Sequence, residues 1–412
     1  MKQSSMSRTA RRVSAAAIVA IAAAALAGCA VEGEEAGPSA SGDGAPIIVG
    51  IVTSTTGPYA SQGESFINGF EGGLDYITDG TGIIDGHKID VQISNDNGDP
   101  ATGTAGARDL MGQGAKFLMG PTNSAVALPV SEIAVENGGT YIAGASGTSE
   151  LLAKDHNVFV TGSGSWMPNE AIFAQAGDAE KIAFIGQDYQ FGQDQAALLK
   201  TLGEERGIAV ESVLLPSNTQ DFTAGVLQLK ELNADMVYVG WQGDGTAQLY
   251  QALADQGLYE STQIVTTLTS RPAIPGFLAA AGDNADSTLV LTSYFEGLGG
   301  GNDLEKAMID YADSSDATVD YVHPQGFVAA LMVQRAIEET GGELDQEGVA
   351  KALEGWSFDS PWGEIMIRPE DHLITVPMYS VNFHSEGEDI TATLLETFPG
   401  ADLAPAVTRS LP

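Results

Sequence analysis

The chain has 412 residues, of which 43% are hydrophobic, and it carries a formal net charge of −37 at pH 7. Such an acidic surface repels nucleic acid and anionic headgroups, which excludes both as expected partners. The hydrophobic fraction is too high for a chain that is disordered throughout, and the length indicates two domains rather than one core.

The N-terminus has the order of a secretory signal peptide. A basic leader precedes an Ala-rich apolar stretch, Val13 to Gly28, that is shorter than the ~20 residues of a spanning helix. The stretch closes with Leu26-Ala27-Gly28-Cys29, which resembles the lipobox at which bacterial lipoproteins are cleaved and lipidated. The alternative is ordinary secretion with an accidental cysteine. We expect loss of residues 1–28, lipid on Cys29, a flexible acidic tether over 29–45, and a location outside the cytoplasmic membrane.

From Pro46 onward, short β-branched runs alternate with segments of helical length. The first set of predicted strands and helices is Ile47–Val52, Ser65–Thr78, Lys88–Ile93, 101–113, Lys116–Met119, Ser124–Asn137 and Thr140–Ala143. Because short links separate these segments, the alternation predicts βαβ units and a parallel sheet.

The pattern restarts near Trp166. The second set is 167–176, Lys181–Ile185, 191–206, Ala209–Leu215, 221–232, Met236–Gly240, 245–256, Gln263–Thr267 and Ser287–Thr292. Helices at 302–313, 322–340 and 346–354 and strand-like segments at 363–368 and 375–383 close the chain. We therefore predict an α/β protein with two doubly wound parallel sheets, whose ligand lies where the strands' carboxyl ends face each other. Closure of the two lobes would then be a hinge motion.

Several short motifs occur in a set order over residues 46–400. They include Ile48-Val49-Gly50-Ile51, Thr56-Gly57-Pro58, Ile83-Ile84-Asp85-Gly86, Asp188 to Gly192 and Asp235-Met236-Val237-Tyr238. In this order they resemble the branched-chain amino-acid binding proteins of bacterial ABC importers, which have the type I periplasmic-binding fold. The resemblance implies three hinge crossings, near 163, 292 and 375. Lobe 1 would comprise 46–163 plus 293–375, and lobe 2 would comprise 164–292 plus 376–412.

The resemblance also implies ligand contacts on lobe 1. Asn123-Ser124 follows a strand, with Ser124 at the expected helix N-cap, where unpaired N–H groups attract anions. The family's matching serine binds an α-carboxylate, whereas the alternative is that Ser124 only caps its helix.

A second set of lobe 1 contacts follows the next strand, where the family uses backbone and hydroxyl groups. Ala145 and Gly147 are the partners by position, and Ser146 or Thr148 would have to supply the hydroxyl that Gly147 lacks. The alternative is a plain Gly-rich turn between strand and helix.

On lobe 2 the resemblance places Phe191 and Trp241 as aromatic contacts, although aromatic residues after strands often belong to a core. Gln62 and Gln242 stand where the family commonly has aromatic residues. Together with Asn123 and Gln187, they indicate a polar pocket suited to amides, polar amino acids, hydroxy or keto acids, or small aromatic carboxylates.

Two family features are missing from the sequence. In the family an acidic residue pairs with the ligand's α-amino group, and its position falls near Thr267–Thr269, where this chain has Thr-Leu-Thr. An amino-acid ligand would therefore need another acid, such as Asp244. An unpaired buried ammonium would cost several kcal/mol. The family's lobe 1 disulfide is replaced by Gly98 and Asn123.

We predict an ABC importer's lipid-anchored solute-binding protein that works as a monomer, contacts the membrane permease, and uses no cofactor or metal. The five histidines (87, 156, 323, 372 and 384) are scattered along the sequence, with no HExxH motif. One alternative is a sensor domain that serves a membrane receptor. Another is an extracellular lipoprotein hydrolase, but we find no set of nucleophile, base and orienting acid for it.

Overall fold

Two sheets organise the part of the chain that the computed structural model describes, which comprises residues 42, 44–57, 59–164, 166–241, 245–267, 271–386, 389–407 and 411. The predicted signal peptide, Cys29 and nearly all of the predicted tether lie outside these residues. None of the helices within these ranges is long and apolar enough to cross a membrane.

The first sheet is built from the elements that alternate up to residue 160. They are β1 (Ile47–Thr53), α1 (Ala60–Thr78), β2 (Ile83–Ile84), β3 (His87–Asn95), α2 (Pro100–Gly112), β4 (Phe117–Met119), α3 (Ser124–Glu136), β5 (Thr140–Ala143) and β6 (Val158–Val160). The strand order is β2-β3-β1-β4-β5-β6, and all pairs except β2 with β3 are parallel. Strand β1 therefore lies between β3 and β4, so the connections leave it in both directions.

The second sheet follows the same logic. Its elements up to residue 292 are α4 (Trp166–Gln175), β7 (Lys181–Gln187), α5 (Gln190–Arg206), β8 (Ala209–Leu215), α6 (Thr223–Leu232), β9 (Met236–Gly240), α7 (Thr246–Asp255), β10 (Gln263–Thr267), α8 (Ile274–Ala281) and β11 (Thr288–Thr292). The five strands β8-β7-β9-β10-β11 run parallel, and the order reverses between β7 and β9.

The last elements divide between the two sheets. They are α9 (Asp303–Ser314), α10 (His323–Thr340), α11 (Gln346–Leu353), β12 (Ser357–Ser360), β13 (Gly363–Met366), β14 (Met378–Glu386), β15 (Asp389–Phe398) and α12 (Gly400–Leu403). Strands β14 and β15 add an antiparallel edge to the second sheet, and β12 and β13 form a separate hairpin. The predicted α/β class with two parallel-sheet lobes is confirmed, and each sheet carries antiparallel pairing at one edge, β2 with β3 in the first and β14 with β15 in the second.

Helix α10 packs against α1, and glycines set the distance between them. An added Cβ on Gly69 would lie 2.1 Å from the carbonyl oxygen of His323, and one on Gly326 would lie 2.2 Å from that of Phe66. Backbone therefore contacts backbone, and α10 is buried almost throughout its first three turns. This contact attaches the C-terminal helices to the first sheet.

Candidate ligand-binding site

A cavity of about 150 Å³ lies at the carboxyl ends of strands from both sheets. It is about ten times the ~10–15 Å³ that one water needs on the same measure, so it has room for a small molecule. Its lining comprises Tyr59, Gln62, Thr122, Asn123, Ser124, Ala125, Gly144, Ala145, Ser146, Gly147, Gly162, Ser163, Gly164, Pro168, Tyr189, Phe191, Gln195, Thr267, Tyr321, Gln325 and Met378. Seven of the ten predicted ligand contacts are in this set.

Strand order explains the position of the cavity. In an open parallel sheet, a crevice forms outside the carboxyl ends where the strand order reverses. Segments that follow β4 and β5 line the cavity from the first sheet, and the segment that follows β7 lines it from the second. The crevices at the carboxyl ends of the two sheets therefore open into one cavity.

Asn123 and Ser124 both line the cavity, but their roles differ from the prediction. Asn123 is the N-cap of α3, because its Oδ1 accepts a hydrogen bond from the N–H of Ala125 at 3.0 Å. Its Nδ2 donates to the carbonyl oxygen of Gly98 at 2.8 Å. Ser124 is thus the first helical residue rather than the cap, which leaves its half-buried hydroxyl beside the cavity.

In the segment after β5, Ser146 and not Thr148 places its hydroxyl at the cavity. Ser146 lines it, is only 2% exposed, and has no hydrogen-bond partner for its Oγ among the described residues. Thr148 does not line the cavity; its Oγ1 accepts from the N–H of Glu150 and caps a short 3-10 turn. Ser146 is therefore the hydroxyl available to a ligand here.

Gly147 faces Phe191 across the cavity. A Cβ added to Gly147 would lie 3.2 Å from Cε2 of Phe191, which is tighter than an ordinary side-chain contact. A threonine at position 147 would therefore push against this ring. The position of the Phe191 ring thus explains why glycine, and not the threonine that the resemblance implies, stands at position 147.

The predicted contact of Trp241 is not brought to the cavity. Trp241 is 1% exposed within the apolar core of the second sheet, and its ring meets that of Phe222 edge-on, with 4.7 Å between centroids. Gln187 ends β7 and likewise does not line the cavity. Gln242 and Asp244 lie outside the described residues, as do positions 268 and 269.

Four polar side chains give the cavity its chemistry. The Oε1 atoms of Gln62, Gln195 and Gln325 and the Oγ of Ser146 are buried without a hydrogen-bond partner among the described residues. Buried polar atoms of native proteins are usually paired, since an unpaired one costs about 1–3 kcal/mol. Their convergence on one cavity gives a small molecule bound there four hydrogen-bond partners.

The described lining contains no Asp, Glu, Lys, Arg or His. Burial also raises the pKa of Tyr189, chiefly by desolvation, so this phenol is neutral at physiological pH. Beneath the cavity, the Oγ1 of Thr267 lies 3.1 Å from the hydroxyl of Tyr238, whose pKa burial raises to about 12. The cavity thus offers neutral hydrogen-bonding groups and aromatic faces.

Several lining residues were not anticipated from the sequence. Gln195 follows Phe191 by four positions in α5, which places both on one helix face, so this spacing was an available signal. Tyr189 lies at the N-cap of α5, in the same segment after β7 as Phe191. Tyr321 lies just before α10 and Gln325 in its first turn, far along the chain, and no local pattern marks them.

Comparison with known families agrees with this geometry. A family model described as periplasmic binding protein matches residues 46–388. The chain therefore belongs to the periplasmic binding protein family. The resemblance to branched-chain amino-acid binding proteins of ABC importers is confirmed, and the family implies an extracytoplasmic location.

Named relatives include Leu/Ile/Val-binding protein homolog 3 of Brucella melitensis biotype 1, which is 27% identical over 75% of this chain and 83% of its own length. An ABC-type branched-chain amino acid transporter structure from Rhodopseudomonas palustris is 25% identical, with a TM-score of 0.75 over 88% of this chain and 100% of its own. A solute-binding protein of that species in complex with 4-hydroxybenzoate has the same fold, with 23% identity and a TM-score of 0.74 over 87% and 98% of the two chains. These relatives are transport proteins that bind small molecules.

Proposed function

We propose that this chain is the lipid-anchored solute-binding protein of an ABC importer, and that it holds a small polar molecule between two lobes without altering it. One observation carries the proposal: four buried polar atoms without partners converge on a cavity between two sheets. An enzyme site would instead need a positioned nucleophile or acid–base pair. The described lining has no carboxylate, imidazole, amine or thiol.

The lobes would be residues 46–163 plus 293–375 and residues 164–292 plus 376–412, with the hinge crossing near 163, 292 and 375. Ser124 and Ser146 belong to the first lobe, and Phe191 and Gln195 belong to the second. A ligand that contacts both lobes favours the closed state by its differential affinity for that state. The closed lobes then form the surface that the permease recognises.

The ligand should carry both a carboxylate and a hydrogen-bond donor. The start of α3 with the Ser124 hydroxyl suits a carboxylate, because helix N-termini bind anions. The amide oxygens of Gln62, Gln195 and Gln325 are acceptors, so they suit a hydroxyl or ammonium group. Hydroxybenzoates meet these requirements with the described lining alone, whereas polar or branched-chain amino acids would also need an acid such as Asp244 beside their ammonium group; relatives of this chain bind members of both groups.

A thermal-shift screen of amino acids, amides, hydroxy acids and hydroxybenzoates should find a ligand that raises the melting temperature. Calorimetry should then show that Gln195→Met weakens this ligand by about 1–3 kcal/mol, because one buried hydrogen bond is lost. Gln193→Met is the matched control, since Gln193 lies on the same helix, is exposed, and bonds to Asp188 at 2.8 Å. The control should bind as the unaltered protein does.

Two results would contradict this proposal. One is chemical conversion of the bound compound by the purified protein, which mass spectrometry would detect. The other is equal affinity in the Gln195→Met variant for every ligand found, because the unpaired oxygen of Gln195 would then have no role in binding.

A further inference from the structure

Three residues that are far apart in the sequence meet on the first lobe, away from the ligand cavity. His156 lies before β6, Glu354 follows α11, and His372 lies before β14. Oε1 of Glu354 is 2.7 Å from Nδ1 of His156 and 3.1 Å from Nε2 of His372. The three potential ligand atoms all lie within 4.8 Å of one another. Two of the five histidines that are scattered along the sequence are thus brought together by the fold.

The hydrogen bonds of His372 fix where its proton lies. Its Nδ1 is 3.0 Å from the carbonyl oxygen of Val158, and because a carbonyl only accepts, Nδ1 must carry the hydrogen. In the neutral ring, Nε2 then directs a lone pair at the carboxylate of Glu354. Two acceptors 3.1 Å apart repel each other, so either a proton or a metal cation must lie between them.

The His372 ring is held in this orientation. It is fully buried and stacks on Phe159, with centroids 4.2 Å apart and planes 7° from parallel. Its φ of 62° is in the left-handed region, which disfavours residues with a Cβ, so the surrounding structure imposes this backbone.

The donor set has the composition of a zinc site. Two imidazoles and one carboxylate, with a fourth position for water, form a known class of zinc coordination. The Nδ1–H of His372 donates to a backbone carbonyl, as ligating histidines usually do to fix their tautomer. His156 and Glu354 have 50% and 28% of their side chains exposed, which leaves the fourth side open to solvent.

We propose that His156, Glu354 and His372 form a binding site for Zn²⁺ or a similar late first-row divalent ion. A bound ion would link the end of α11 to the segment that enters β14. Leu373, the residue after His372, bridges to Val160 at the end of β6, so the site lies beside two chain segments that lead from one sheet to the other. The ion would thus bind at the base of these connections rather than in the ligand cavity.

The test is calorimetric titration of chelator-treated, full-length protein with Zn²⁺ in the presence of excess Mg²⁺. We expect one Zn²⁺ per chain and a higher melting temperature, since an ion that binds only the folded state stabilises it. His156→Ala and Glu354→Gln should each weaken the affinity by more than about 10–100-fold, because each removes a ligand and the loss of a ligand's hydrogen-bond partner alone costs that much. His372 is left intact, because its removal would create a cavity against Phe159.

His384→Ala is the matched control, because this partly exposed histidine lies 3.5 Å from a single carboxylate, that of Asp286. The control should bind Zn²⁺ as the unaltered protein does. Absence of a one-to-one site would overturn the proposal. Equal affinity in the His156→Ala and Glu354→Gln variants would do so too, as would displacement of Zn²⁺ by Mg²⁺, which would indicate binding to surface carboxylates. None of these results depends on whether a solute binds in the cavity.

Discussion

Asn123 caps α3 and Ser124 lies at the cavity, whereas the sequence pattern assigns both helix capping and ligand binding to Ser124. Either side chain is a good N-cap, so their order before α3 does not decide which of them caps the helix. The backbone decides: Asn123 has extended φ and ψ, and its amide bonds to both Ala125 and Gly98. Ser124 is inside the helix with its hydroxyl beside the cavity, so it is left for the ligand.

Substitution by alanine should separate these tasks. Asn123→Ala should lower the free energy of unfolding by about 0.5–2 kcal/mol, the usual cost of a lost cap. Ser124→Ala should leave stability within about 0.5 kcal/mol, as for ordinary surface substitutions. It should weaken a carboxylate ligand by about 1–3 kcal/mol. Thermal unfolding and calorimetry measure the two effects, and a Ser124→Ala variant that loses stability but not affinity would contradict the assignment.

At the scale of elements, the contact between α1 and α10 depends on two glycines, which have no side chain to keep the helices apart. Gly69 and Gly326 each face a backbone carbonyl of the opposite helix at a distance that no Cβ tolerates. Glycine is unfavourable inside a helix by about 1 kcal/mol relative to alanine. Close approach of the two helices offsets this cost, and the same contact positions Gln325 at the cavity.

The sign of a glycine-to-alanine change should therefore depend on position. Gly69→Ala should destabilise the protein by about 1–3 kcal/mol through overpacking, despite its better helix propensity. Gly276→Ala in α8 is the control, since nothing lies within 4 Å of its added Cβ and its φ is not positive. We expect this variant to be stabilised by about 0.4–1 kcal/mol. Chemical denaturation measures both, and stabilisation in each case would disprove the close contact.

At the scale of the whole molecule, charge is the dominant feature. With 18 Lys and Arg against 55 Asp and Glu, most carboxylates cannot have a Lys or Arg of their own. Like charges on one surface repel one another and destabilise the compact state. The fold must therefore rely on its apolar cores, two of which cover the faces of the first sheet.

Salt should consequently stabilise this protein. Raising KCl from about 0.1 to 1 M shortens the Debye length from about 10 to 3 Å, which screens the repulsion. We expect the melting temperature to rise over this range in calorimetry. Sucrose at matched osmolality controls for solute exclusion. A fall in the melting temperature with KCl would mean that attractive ion pairs outweigh the repulsion.

Sequence patterns predict the buried strands of this fold well, because parallel strands covered on both faces are continuous apolar runs. The buried strands β5, β9 and β10 have the predicted bounds. The edge strand β15 was missed because it is mostly exposed, including Leu394 and Leu395, and so lacks a buried face.

The candidate site was predictable only where it follows strands. Segments after β4, β5 and β7 were found because carboxyl ends of parallel strands converge. Contacts from helix faces, such as Gln325, depend on how α10 packs, which no short pattern encodes. The meeting of His156 with His372 is of the same kind, since tertiary structure alone brings residues so distant in sequence together.

The bond from Asn123 to Gly98 has a practical consequence for the way this protein matures. The family resemblance implies a disulfide at these two positions, which would need an oxidising compartment, whereas here the side-chain amide of Asn123 donates to the carbonyl oxygen of Gly98 and no oxidant is needed. Dithiothreitol should consequently leave refolding yield and unfolding midpoint unchanged.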